Sequence, residues 1–370
     1  MKLKIPENIG SIVPYPPGKP LEELEREYGI SDSIKLASNE NAWGPSPRAV
    51  AAIGQSLQGL HRYPDGSSFY LTEALAGWLG AGMDEIVLGN GSNEVIEFLV
   101  KALVRTGDEV ITSHPSFLMY QKFVQVRGGR NRVVPLKDMR HDLAAVTDTV
   151  NDKTRLIFLD NPNNPCGTFF TAREFDTFLK GIPESVIVVL DEAYVDFVEA
   201  EQRIDILSYI RQSEGIPAVV ALRTFSKAFG LAGLRVGFGL MHRDIAHLLH
   251  RVRQPFNINL PAQAGALAAL SDNAHYNATL NKTRAGRLWL QEEVKKLGCI
   301  PYPSETNFFL IDVRGDATAL YESMLHKGVI VRSMAAYGYP DFIRITVGTK
   351  RENERFITAL TDCLSELNYV

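Results

Sequence analysis

From residue 49 to about residue 240, short apolar runs bounded by turn residues alternate with stretches of helical periodicity. The runs at 86–88, 109–113, 132–135, 156–159, 186–190, 218–222 and 236–240 read as strands. Most lack the in–out alternation of a half-exposed sheet, so both their faces should be covered, as in a mostly parallel sheet. Residues 67–79, 93–104, 116–126, 171–180 and 242–253 read as helices. This order predicts an α/β fold with a large, doubly wound, mostly parallel seven-stranded sheet.

The flanks read differently. After a Pro-rich opening, residues 20–28 form a short acidic helix and 31–48 are loop-like, rich in Ser, Asn, Gly and Pro. Beyond the large unit, 261–270 and 274–297 are helical. Strands at 308–313, 329–332 and 342–347 then alternate with helices at 316–327 and 350–367. The expectation is a large domain over 49–260 and a smaller α+β domain formed from 1–48 and 261–370.

Composition narrows the function classes. A chain of 370 residues exceeds one small core, which favours two domains sharing a site. Its 39 basic and 43 acidic residues leave a net charge of −4, against binding nucleic acid or anionic membranes through positive charge. No apolar run is long enough for a membrane span or a signal peptide. Cys166, Cys299 and Cys363 are odd in number, far apart and without metal-site spacing, which suits a reducing cytoplasm.

Candidate chemistry collects where the predicted strands end. The run 218–222 is followed by Thr224-Phe225-Ser226-Lys227 and, eight residues after the lysine, by Arg235. A lysine past the C-terminal end of a parallel strand stands where α/β sheets place ligands, and its amine can bond to an aldehyde. Arg235 has the planar fork that suits a phosphate. The run 186–190 ends in Asp191-Glu192-Ala193-Tyr194, and a buried Asp there needs a cation or strong donors. The run 156–159 leads into Asp160-Asn161-Pro162-Asn163-Asn164-Pro165-Cys166-Gly167, whose amides can donate to a phenolate. Gly89-Asn90-Gly91-Ser92-Asn93-Glu94 opens a helix, as a phosphate-binding loop does.

Each feature also has a plainer reading. The lysine loop can be a solvated turn, Asp191 a helix N-cap, the Asn/Pro loop a rigid turn, and the Gly loop a connection capped by Ser92. Their co-occurrence favours chemistry. Together they supply what pyridoxal phosphate (PLP) requires: an anchor for its aldehyde, an acid for its ring nitrogen, donors to its phenolic oxygen and a phosphate cup.

These motifs resemble the fold-type I PLP aminotransferases, and within them the histidinol-phosphate aminotransferase family. The resemblance runs from Leu36-Ala37-Ser38-Asn39-Glu40-Asn41 to Ile343-Arg344-Ile345-Thr346-Val347-Gly348. It is most specific over 223–237. It implies that Lys227 carries the cofactor, that Asp191 pairs with the ring nitrogen, and that Tyr194 and Asn164 bond the phenolic oxygen. Ser92, Asn93, Thr224 and Arg235 are implied to hold the phosphate, and Tyr120 to stack on the ring. Locally, Tyr120 also reads as a core aromatic.

The resemblance further implies a homodimer in which Tyr63 reaches the neighbouring site, although Tyr63-Pro64-Asp65-Gly66 by itself reads only as a turn. On the substrate side it points to Arg344 for the α-carboxylate, Arg332 and Tyr15 for a substrate phosphate, and Asn39 nearby. Arg332 also reads as a surface arginine at a strand end. Two departures stand out. Ala42-Trp43 replaces the family's usual proline, putting an indole near the expected site entrance, and Cys166 replaces a frequent threonine.

The implied reaction exchanges an amino group between histidinol phosphate and 2-oxoglutarate, in histidine biosynthesis. An aromatic amino-acid aminotransferase, a threonine-phosphate decarboxylase and a non-catalytic PLP sensor are the rivals. The short, non-basic N-terminus leaves no room for a DNA-binding partner of such a sensor.

Overall fold

The computed structural model describes residues 3–14, 19–212 and 214–369. Its first strand, β1 (Ile34–Lys35), lies apart from the main sheet. The main sheet contains β2 (Ile86–Gly89), β3 (Glu109–His114), β4 (Arg130–Pro135), β5 (Thr154–Asp160), β6 (Ile187–Asp191), β7 (Ala218–Thr224) and β8 (Gly237–Leu240). Their spatial order is β2-β8-β7-β6-β5-β3-β4. β3 to β7 pair in parallel, and β8 runs antiparallel to both β2 and β7. The expected mostly parallel seven-stranded sheet is therefore present.

The apolar runs lack alternation because neighbouring residues serve two cores. Ile111, Ile157, Leu159, Val188, Leu190, Val219 and Ala221 belong to one buried cluster. Val110, Leu156, Phe158, Val189, Val220 and Leu222 belong to the cluster on the opposite face. With side chains pointing alternately up and down, a strand covered on both sides needs apolar residues throughout.

The C-terminal part forms a second sheet from β9 (Ile300–Pro301), β10 (Phe308–Asp312), β12 (Arg332–Ser333) and β13 (Phe342–Thr346), in the order β12-β13-β10-β9. It is antiparallel throughout. β1 pairs in parallel with β11 (Val329–Ile330), and Leu36 joins a buried cluster with Leu290, Phe309, Ile343, Ile345 and Phe356. The N-terminal segment is thereby fastened to the C-terminal one.

Some local expectations shift. The helix expected over 116–126 begins at Met119 and ends at Arg127. The helix Leu260–Leu270 buries Ala262, Ala266, Ala269 and Leu270 in the core of the main sheet, against the helix Pro47–Ser56. The boundary placed between 260 and 261 therefore does not coincide with the change of core. Apolar content alone does not tell which of two cores a helix joins.

Candidate active site

Because β5, β6 and β7 run in parallel, they end on one edge of the sheet. In register there, Asp160 partners Asp191, and Asp191 partners Leu222. A cavity of about 300 Å³ opens above this edge, the lower end of the range for small-molecule sites. Its lining includes Asn39, Ser92, Asn93, Tyr120, Asn164, Asp191, Tyr194, Thr224, Lys227, Arg235, Arg332 and Arg344. Residues as far apart in sequence as Asn39 and Arg344 meet at one site.

Lys227 follows β7 by three residues, and its Nζ donates to the carbonyls of Ser38 at 3.2 Å and Asn39 at 3.0 Å. Burial, reinforced by the Arg344 guanidinium, lowers this amine from 10.5 to about 7. Asp191 is buried at the end of β6 and is pushed up to about 7, again chiefly by burial. Its Oδ1 accepts from the Ala193 amide at 3.0 Å and closes a turn; the next helical element, Val195–Phe197, has Tyr194 as its N-cap, so Asp191 is not the helix cap of the plainer reading. Its Oδ2 accepts from the Tyr120 hydroxyl at 2.7 Å. The Tyr120 ring is fully buried and lies flat on Phe158, with centroids 4.7 Å apart and planes 7° apart.

Tyr194 is buried beside them and accepts a hydrogen bond from Asn39 Nδ2 at 2.9 Å. Burial raises its phenol to about 12. Asn164 Oδ1 accepts from Arg344 Nη1 at 2.6 Å, and Arg344 Nη2 donates to the Ala37 carbonyl at 2.8 Å. Arg332 and Arg344 are register partners across the antiparallel β12–β13 pair. Directly opposed residues project from the same face of a sheet, so two guanidinium groups enter the cavity side by side.

At the far end lies a cup suited to an anion. The helix Ser92–Leu103 begins there with Gly91 as its N-cap at φ +78°, so Ser92 is the first helical residue rather than the expected cap. A Cβ on Gly91 would stand 2.5 Å from Arg235 Nη2, and one on Gly237 2.3 Å from the Ser92 amide nitrogen. Only glycine permits either approach. The Thr224 hydroxyl bonds Ser226 Oγ at 3.0 Å, and Arg235 Nη1 donates to that same oxygen at 3.3 Å. One end of the Asn93 amide, Oδ1, is buried with no protein partner among the described residues. Helix amides, hydroxyls and a guanidinium around a space closed to side chains are the donor set of a phosphate site.

Two expected residues lie elsewhere and a third is not described. Tyr63 is 83% exposed, outside this chain's own cavity, and stacks on Phe256 with centroids 4.8 Å apart. Tyr15 falls outside the described residues. Trp43 packs against the C-terminal core and is not part of the cavity wall. Sequence reasoning missed Ser226, Phe117, Leu118 and Tyr337, all in the wall. Ser226 was signalled by its place beside Lys227; the others carry no motif.

Residues 31–360 match the family model for aminotransferase class I and II. The chain belongs to this family. Among curated aminotransferases, histidinol-phosphate aminotransferase of Desulfotalea psychrophila is 66% identical over 370 residues, covering all of this chain and 98% of the relative. That of Moorella thermoacetica is 46% identical, covering 98% and 93%. Among solved aminotransferase structures, the Sinorhizobium meliloti histidinol-phosphate aminotransferase in complex with pyridoxal-5'-phosphate superposes with a TM-score of 0.91 at 29% identity, covering 99% of both chains.

Proposed function

We propose that this chain is a PLP-dependent histidinol-phosphate aminotransferase, exchanging an amino group between histidinol phosphate and 2-oxoglutarate. The observation that carries the reading is the cross-strand pair Arg332–Arg344 in the cavity that also holds Lys227 and Asp191. Two adjacent guanidiniums suit a phosphate or carboxylate better than an uncharged aromatic ring. The family assignment and the curated relatives support the same chemistry.

The residues present fit PLP. The glycine-walled cup, with Ser92, Asn93, Thr224 and Arg235 around it, would take the phosphate. Asp191 would face the ring nitrogen, Tyr194 and Asn164 the phenolic oxygen, and Tyr120 the ring. Bound PLP supplies an aldehyde carbon to hold the amino group and an electron sink for the bond broken at the substrate Cα.

Lys227 would anchor that aldehyde and, once freed by the incoming amine, move the proton from the substrate Cα. An amine lowered to about 7 is available in its neutral, basic form near neutral pH. Asp191 would keep a proton on the ring nitrogen. Arg344 would turn from Asn164 to the carboxylate of glutamate, and Arg332, with Tyr15, would bind the phosphate of histidinol phosphate. Tyr63, exposed and stacked on the partly exposed Phe256, is assigned to the neighbouring site of a homodimer. We place the enzyme in the cytoplasm, as its buried free cysteines suit a reducing compartment.

A half-reaction test decides the matter. PLP-loaded protein is mixed with single amino donors, and conversion to the pyridoxamine form is followed by absorbance. Histidinol phosphate and glutamate should convert it, and phenylalanine far more slowly. Arg332→Ala should lose about tenfold or more with histidinol phosphate while keeping most of its rate with glutamate. Equal rates with phenylalanine, or CO2 release without consumption of a keto acid, would overturn the reading.

A further inference from the structure

A second buried carboxylate stands beside Asp191. Asp160 ends β5 as Asp191 ends β6, and the two are register partners in a parallel pair, so both leave the sheet on the same face. Both line the cavity, and Asp160 is only 3% exposed. Adjacent buried carboxylates repel, so such a pair persists only where donors compensate it.

Asp160 has those donors. Its Oδ1 accepts from Ser116 Oγ at 2.7 Å and Asn163 Nδ2 at 3.1 Å, with His141 Nε2 also at 3.1 Å. Its Oδ2 accepts from the Asn164 amide at 2.7 Å. His141 is buried behind it, with Nδ1 2.7 Å from Ser113 Oγ and Nε2 3.0 Å from the Asp160 carbonyl. A group that accepts on both oxygens and donates nowhere has the bonding pattern of a carboxylate. Its field reaches the cavity, where it helps to raise Asp191, Tyr120 and Tyr194.

We propose that Asp160, fixed by His141, Ser116 and Asn163, is a positioning residue for the cofactor: it adds a second negative charge beside Asp191 and holds Asn164 by its backbone. This rests on the reading of Asp191 and Asn164 as cofactor contacts. Its role is electrostatic, and it need not touch the substrate. The titratable and charged groups around it are Asp191 on β6, His141 ahead of the helix Leu143–Thr149, Tyr120, Tyr194, the Cys166 thiol and, through Asn164, Arg344.

A negative charge near a bound cation raises the pH at which that cation loses its proton. The test is therefore the pH titration of the bound cofactor's visible absorbance, together with PLP affinity. Asp160→Asn keeps the size and the contacts to Oδ1, removes the charge, and turns an amide NH2 towards the Asn164 N–H that Oδ2 accepted. It should lower the absorbance midpoint by about one pH unit and weaken PLP binding about tenfold. Ser116→Ala, which removes a donor and leaves the charge, should titrate at the wild-type midpoint. An unmoved midpoint in Asp160→Asn, or an equal drop in Ser116→Ala, overturns the proposal while leaving the functional reading intact. Wild-type protein without any cofactor absorbance overturns both.

Discussion

Lys227 is held by two backbone carbonyls, with Arg344 and Arg235 working against its charge and Glu40 and Asp191 in favour of it. Burial and Arg344 prevail, so the amine loses its proton near 7 instead of 10.5. Only the neutral amine attacks an aldehyde. The rate of covalent PLP uptake by cofactor-free protein should therefore rise with pH and level off above about 7. Stopped-flow absorbance from pH 5 to pH 9, about two units either side of that value, measures this; a rate still climbing steeply at the upper end would show that the amine is not lowered.

At the scale of elements, the phosphate cup depends on backbones that pass too closely for any side chain. Gly91→Ala would place a methyl group against Arg235 and force alanine to φ +78°. The strain costs about 1 kcal/mol or more, and displacement of Arg235 adds to it. PLP affinity, measured by equilibrium dialysis, should fall about tenfold or more, whereas wild-type affinity would show that the cup is elsewhere. The strands of the parallel sheet were legible because double coverage makes each an unbroken apolar run, and Lys227, Asp191 and Arg235 because they follow such runs directly. The antiparallel direction of β8 was not, since pairing direction leaves no mark within one strand. Asp160 stood in plain view inside its motif. What distinguishes it is contact with His141 and Ser116, 19 and 44 residues away, and such pairings have no local pattern.

For the whole molecule, the proposed dimer makes each site dependent on two chains. Tyr63, exposed on Phe256, is the residue through which the partner's site would be reached. Lys227→Ala should abolish turnover, and Tyr63→Ala should impair it. After unfolding and refolding as a mixture, the two variants should regain activity beyond the average of the pure samples, since some sites would combine an intact lysine with an intact tyrosine. Strict averaging, or a monomer in sedimentation velocity, would exclude the shared site.

The zipping of the first segment to the last has a consequence for synthesis. Leu36 accepts from the Thr346 amide, Asn39 donates to the Thr346 hydroxyl, and β1 pairs with β11. A nascent chain that has emerged only as far as β8 already possesses Lys227 and Asp191. It still lacks the strand that fixes the Ser38–Asn39 carbonyls around the lysine. Vitamin capture therefore belongs after translation, when residues 241–370 have left the ribosome.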